Sequence, residues 1–282
     1  MRRLLATAAL WCCLGDIGWA QLTNGLIGHW TFDEGSGTAV GDSSGQGNNG
    51  TLLNGVTGTW TTGNFGGALY FSGAAGSSAT RVDIPDTTAL QNAFTTAITF
   101  AAWVRVDDIH LDAPILDREG NGGLYSFWFG AFGITAESGA SPGNFGVLLS
   151  SNGTSWTLND RHQGSITPAT WVHLAATWDG SQVVSYLNGT PVGSPVSYSS
   201  SLNASTGSIS LGSNFPFSTT AFLGAVDDLY LYNRALTSSE IGQVMNGAAI
   251  PEPSTCAALA GLAALGLALR RRGRCAGKRF LR

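Results

Sequence analysis

In Ile98-Thr-Phe-Ala-Ala-Trp-Val-Arg-Val106, Ile98, Phe100, Ala102, Val104 and Val106 point one way, and Thr99, Trp103 and Arg105 point the other. That two-residue period predicts a strand with one face in a core. Trp171-Val-His-Leu-Ala-Ala-Thr-Trp178 repeats it, turns at Asp179-Gly180, continues from Gln182 to Leu187 and turns again at Asn188-Gly189. Asp-Gly and Asn-Gly supply the positive φ angles that tight hairpins require. Phe222 to Tyr232 forms a further strand, after which Thr237-Ser-Ser-Glu240 is a capping box opening a short helix near 238–244. The pattern predicts an all-β sandwich of two antiparallel sheets with that one helix at its end.

Composition narrows what holds such a sandwich together and what it meets. Cys12, Cys13, Cys256 and Cys275 all fall in the terminal segments, so residues 21–250 need their own apolar core, without disulfides or cysteine metal sites. Nine Trp and thirteen Phe in the chain supply it, and they exclude a glycine-rich disordered linker despite the 39 glycines. Residues 21–250 also hold five arginines, no lysine and sixteen Asp or Glu, a formal charge of −11. An acidic domain repels phosphate backbones, so nucleic acid is excluded as a partner; divalent cations and neutral polymers suit it.

The two ends read as addresses. Arg2 and Arg3, the apolar Leu4–Leu14 stretch and Gly18-Trp19-Ala20 form a signal peptide over residues 1–20, with Gln21 first in the mature chain. The main domain then occupies residues 21–249, and residues 250–282 form a separate C-terminal segment. There Pro251, Glu252 and Pro253 precede a fourteen-residue apolar run, Cys256–Leu269, that ends in Arg270-Arg271-Arg272. As a helix it would measure about 21 Å, short for a full span, yet its basic end fits the positive-inside rule. This order resembles the PEP-CTERM sorting signal. The resemblance implies recognition of Pro251, Glu252 and Pro253 by an exosortase-type membrane enzyme, transient or permanent inner-membrane anchoring by 256–269, and delivery to the cell surface or medium.

The domain itself carries Gly28-His-Trp-Thr-Phe-Asp-Glu-Gly-Ser-Gly37, Asp42-Ser-Ser-Gly-Gln-Gly-Asn-Asn-Gly-Thr-Leu52, Phe100-Ala-Ala-Trp-Val104, Trp171-Val-His-Leu-Ala-Ala-Thr-Trp-Asp-Gly180, Tyr186-Leu-Asn-Gly189 and Gly224-Ala-Val-Asp-Asp-Leu-Tyr-Leu-Tyr-Asn-Arg-Ala-Leu236. Together these resemble the LamG-like, concanavalin A-like jelly-roll domains of secreted bacterial proteins. The resemblance implies two curved antiparallel sheets with adjacent N- and C-terminal strands. It leaves function open, because this fold hosts many.

Candidate chemistry follows from particular side chains. The Asp42–Gly50 loop offers carboxylate, hydroxyl, amide and carbonyl oxygens, the ligands calcium takes. In the family calcium is often held between this loop and the Asp-Asp pair, here Asp227-Asp228. Only one of two adjacent strand residues faces a given side, so the expected ligands are Asp42, Asn48 and Asp227. Asp33-Glu34, Asp107-Asp108 and Asp117-Arg-Glu119 are acidic pairs, but the Glu-x-Asp-x-x-Glu spacing of jelly-roll glucanases is missing, which argues against glycoside hydrolysis. His29, His110, His162 and His173 lack metal-ligand spacing. Trp128 and Trp156 are the candidate platform on which a sugar ring would stack. The chain thus reads as a non-catalytic exported domain binding glycan or matrix polymer. A structural or adhesive protein that recognises protein is the competing reading, and a hydrolase is a third.

Overall fold

The computed structural model describes residues 22–247 apart from 56–58, 75–77, 109–111, 121–123, 134–142 and 215–219. The expected signal peptide over residues 1–20, Pro251, Glu252, Pro253, the apolar run 256–269 and His110 lie outside the described residues. Two eight-stranded antiparallel sheets face each other. Sheet A runs β14 (Thr190–Ser197), β13 (Gln182–Leu187), β12 (Trp171–Trp178), β7 (Ile98–Val106), β16 (Leu223–Tyr232), β5 (Gly67–Ser72) and β4 (Trp60–Thr62), and β1 (Leu26–Trp30) also pairs with β16. Sheet B runs β11 (Leu158–Gln163), β10 (Asn144–Leu149), β9 (Leu124–Phe132), β8 (Ala113–Gly120), β15 (Ile209–Leu211), β6 (Arg81–Ile84), β3 (Gly50–Leu53) and β2 (Ala39–Val40). This is the expected all-β jelly-roll sandwich, with the first and last strands adjacent.

The alternation in β7 does what its period requires. Ile98, Phe100, Ala102, Val104 and Val106 are all buried between the sheets, where Phe100 stacks on Phe129 of β9 at 5.4 Å. Trp103 and Arg105 face outward and stay half-buried. The hairpin from β13 to β14 turns on Asn188 (φ 49°) and Gly189 (φ 76°), the two consecutive left-handed residues that a tight hairpin needs. Two helices are described, α1 (Thr88–Gln91) and α2 (Ser238–Met245). The second has the expected capping box: Glu240 N–H donates to Thr237 Oγ1 at 3.3 Å, and Thr237 N–H donates to Glu240 Oε2 at 2.7 Å. Trp103 then pins the end of α2 to sheet A by donating its indole N–H to the Met245 carbonyl at 3.0 Å.

One buried ion pair ties loops to the sandwich. Arg118, 1% exposed, donates to Asp86 Oδ1 at 2.8 Å and to the carbonyls of Leu90, Ser205 and Gly207. Four partners satisfy a guanidinium whose burial would otherwise cost several kcal/mol.

His173, on the outward face of β12, is completely buried, and neither ring nitrogen has a hydrogen-bond partner. Burial in this unpaired state pushes its pKa down to about 4, so the native ring is neutral. The unfolded chain takes up a proton near pH 6.5 and the folded one does not, so stability falls as pH drops from about 6.5 toward 4. The expected loss across that window is about 3 kcal/mol, read from denaturant midpoints, and His173→Phe should remove this component of the pH dependence.

Candidate functional site

The Asp42 loop is built around one carboxylate. Asp42 Oδ1 accepts the backbone N–H groups of His29 (3.0 Å) and Ser44 (2.9 Å), and Oδ2 accepts that of Asn48 (2.8 Å). Asn48, 2% exposed, donates its side-chain N–H to the Ile27 carbonyl at 2.7 Å, and its own carbonyl receives the Trp30 indole N–H at 3.0 Å. Asp42 and Asn48 therefore meet, and together they fasten the loop to β1.

Asp227 lies elsewhere. The register of β16 against β7 shifts between Asp227 and Tyr230, and Asp228 sits at φ 46°, a left-handed conformation uncommon for any residue with a Cβ. This bulge breaks strand alternation and aims the two carboxylates differently. Asp228 Oδ1 lies 3.0 Å from His29 Nε2, and the His29 ring stacks on Tyr230 at 4.0 Å. Through His29, whose backbone N–H serves Asp42, it is Asp228 that connects to the Asp42 loop. The expectation placed Asp227 there.

Asp227 instead faces the 63–67 loop. Its side chain is fully buried; Oδ2 accepts the Phe65 N–H at 2.8 Å and Oδ1 has no hydrogen-bond partner. Burial is the main reason its carboxyl is pushed up to about 7. The charges of Asp228 and Asp33 add to the rise, against the lowering effect of the Phe65 and Asn64 N–H groups. Asp33, exposed, accepts the Gly67 N–H at 2.6 Å. Glycine is needed here for close approach: a Cβ on Gly63 would stand 2.4 Å from Asp227 Oδ2, and one on Gly66 would stand 2.3 Å from Asp33 Oδ1. In the sequence Asp33 stands out only as half of an acidic pair; the glycines of Gly63-Asn-Phe-Gly66-Gly67 are the signal that a carboxylate approaches this loop. Among the described residues no three His, Cys, Asp or Glu side chains form a metal-binding group. Any hard cation here would need carbonyl oxygens beside Asp227 and Asp33.

On sheet B, Trp128 is 5% exposed, stacked on Phe132 at 4.5 Å and packed with Leu148 and Trp156. Arg161 covers the Phe132 ring, its guanidinium carbon 5.0 Å from the centroid. Trp128 thus lies within a ring cluster, while Trp156 stays half-buried and tilted against half-buried Tyr125 at 4.8 Å. Asp117 pairs across β8 with Trp128 and with Ser210 of β15, and it is fully buried.

Residues 75–242 match the family model described as the concanavalin A-like lectin/glucanases superfamily. The chain belongs to that superfamily. Residues 249–272 match the PEP-CTERM protein-sorting motif, so the chain carries the C-terminal membrane-anchoring sorting signal of an exported protein. No curated protein matches the chain. Among solved structures it is similar to domain 4 of AbnA, a GH43 extracellular arabinanase from Geobacillus stearothermophilus, in complex with arabinotriose, at 21% identity and TM-score 0.58 over 78% of this chain and 98% of that one. It is also similar to the binding domain of botulinum neurotoxin DC in complex with rat synaptotagmin II, at 13% identity and TM-score 0.58 over 81% of this chain and 52% of that one. A third similar structure comes from work on botulinum neurotoxin type C, whose cell entry depends on interaction with two ganglioside molecules, at 13% identity and TM-score 0.59 over 82% and 53%. The superfamily member described here therefore aligns with about half the length of each neurotoxin chain, and at these identities the likeness is one of fold.

The hydrogen bonds around Asp42 make it a loop-building residue. Asp42→Ala leaves three backbone N–H groups without their acceptor and should cost about 2 kcal/mol in equilibrium unfolding, while Asp42→Asn should recover part of it.

Proposed function

We propose that the domain is a non-catalytic binding module for glycan or extracellular matrix polymer, exported and handled through its C-terminal sorting signal by an exosortase-type enzyme. The observation that carries this reading is the combination, in one chain, of a concanavalin A-like sandwich with a PEP-CTERM motif. The named neighbours of this fold include an arabinanase domain in complex with arabinotriose and neurotoxin binding domains, which supports binding over catalysis. Trp156 with Tyr125 offers ring surface that solvent reaches, and Trp128 backs that pair from within the cluster. On an array of immobilised polysaccharides and matrix proteins, the full chain in detergent should be retained by a neutral polysaccharide and released by the free oligosaccharide. Retention on protein spots alone would replace this reading with the adhesive one.

Calcium belongs to the same proposal. The buried Asp227 Oδ1 without a hydrogen-bond partner, and the glycine-lined approach of Asp227 and Asp33 to the 63–67 loop, fit a hard cation. Such an ion would offset the desolvation of Asp227 and fix that loop. Asp42 and Asn48 would support it at a distance, through β1 and His29. Calcium-loaded protein should melt several degrees higher than the chelated form, since a ligand held only by the native state stabilises it. Asp227→Ala should erase that difference, whereas Asp42→Ala should lower both melting points and keep it. Identical melting of loaded and chelated protein would remove the metal.

A further inference from the structure

The outward face of sheet A carries a row of half-buried side chains outside the core. Tyr70 on β5 pairs with Ala225 on β16, Ala225 pairs with Arg105 on β7, and Arg105 pairs with Trp171 on β12. Their strand neighbours Leu69, Phe71, Val104, Val106, Val172 and Val226 are buried, so the row itself faces away from the core. Tyr70, Arg105 and Trp171 are half-buried, and the methyl of Ala225 lets the two rings close on the guanidinium. The Arg105 guanidinium carbon lies 5.8 Å from the Tyr70 ring centroid and 5.9 Å from that of Trp171. Asp107 grips the same guanidinium with two hydrogen bonds, at 2.9 and 3.2 Å. Next to this row, Ser72, Gly73, Asp108, Ala113, Ala221 and Leu223 line a small cleft of about 70 Å³ open to solvent, room for a substituent at the edge of the row and not for a whole sugar ring.

We propose that this row and the adjoining cleft form a glycan-binding site for a neutral polysaccharide, on the opposite sheet from Trp156. The proposal rests on the reading of the domain as a glycan binder and names where a chain would lie. Rings flanking a neutralised Arg-Asp pair match a sugar polymer: the rings pack on CH faces, and the remaining guanidinium and carboxylate hydrogen-bonding positions serve vicinal hydroxyls. Arg105 and Asp107 cancel each other's charge, and residues 21–250 carry a formal charge of −11, so an anionic chain is repelled.

The alternative is a cross-strand ladder whose only effect is on sheet stability. Two observations favour a ligand. Trp30, Trp60, Trp103 and Trp178 each donate their indole N–H to a backbone carbonyl, whereas those of Trp128, Trp156 and Trp171 have no acceptor among the described residues, and of these three only Trp171 stands on the outward face of sheet A. Beside it, Ala169 is held at φ 57° with its N–H on the Val106 carbonyl at 2.8 Å, a strained conformation of the kind that gathers at binding sites.

The test titrates the full chain in detergent with arabinotriose, cellohexaose, laminarihexaose and, as an anionic comparison, sialyllactose, by calorimetry. The neutral probe that binds best should weaken about tenfold or more with Trp171→Ala and with Tyr70→Ala at unchanged melting temperature. Trp171→Phe, which keeps a ring and loses the N–H, should fall between. If Trp171→Ala lowers the melting point, Tyr70→Leu, which fills the same space without a flat ring, carries the comparison. Affinity unchanged in all of these variants and lost with Trp156→Ala would overturn this site and leave the glycan reading standing. A wild-type chain that binds none of the probes would overturn both.

Discussion

Sheet A depends on its last strand. β16 lies between β7 and β5 and also pairs with β1, where Trp30 stands opposite Leu229. The sequence separation of that pair is nearly the length of the domain, so its loop-closure entropy must be met before the pairing contributes anything. Until Leu223–Tyr232 is in place, β7, β5 and β1 each keep an unpaired edge. The interior supplies the driving force, with Phe100, Phe127 and Phe129 in contact across the two sheets. The first and last strands, the 63–67 loop and α2 all take their positions from that one insertion.

The bulge in β16 at Asp227-Asp228 puts three local devices within reach of one another. Asp228 turns to His29, Asp227 to the backbone of Phe65, and Asp42 fastens its own loop to the backbone of His29 on β1. A regular strand would have sent these two carboxylates to opposite faces, one of them into the core. Here both are partnered near one end of the sheet, at the expense of a left-handed φ at Asp228.

Much of the fold was legible because it follows from local rules. The period-two runs of β7 and β12, the Asn188-Gly189 turn and the Thr237–Glu240 box each state their conformation within a few residues. The candidate metal ligands were less legible for a physical reason. The expectation that Asp227 faces the Asp42 loop rests on strict alternation, and the register shift cancels it. Alternation did place Trp128 on the opposite side of β9 from Phe127 and Phe129, but it could not say that Phe132 and Leu148 would cover it there. The Tyr70–Arg105–Trp171 row was invisible for the same kind of reason: its members come from strands far apart in sequence, and only the registers of β5, β16, β7 and β12 bring them into line.

The small residue at Ala225 has a geometric consequence. It separates Tyr70 from Arg105 by a full strand, so Tyr70 and Trp171 stand three strand steps apart. Each step in a twisted sheet turns the strand direction by about 20–25°, which rotates the backbone beneath one ring by about 60–75° relative to the backbone beneath the other. A flat, ribbon-like polymer laid along the row would cross strands whose direction changes steadily beneath it. A chain that winds on itself as it advances could present a face to each, so the handedness of the sheet would select for the handedness of the polymer.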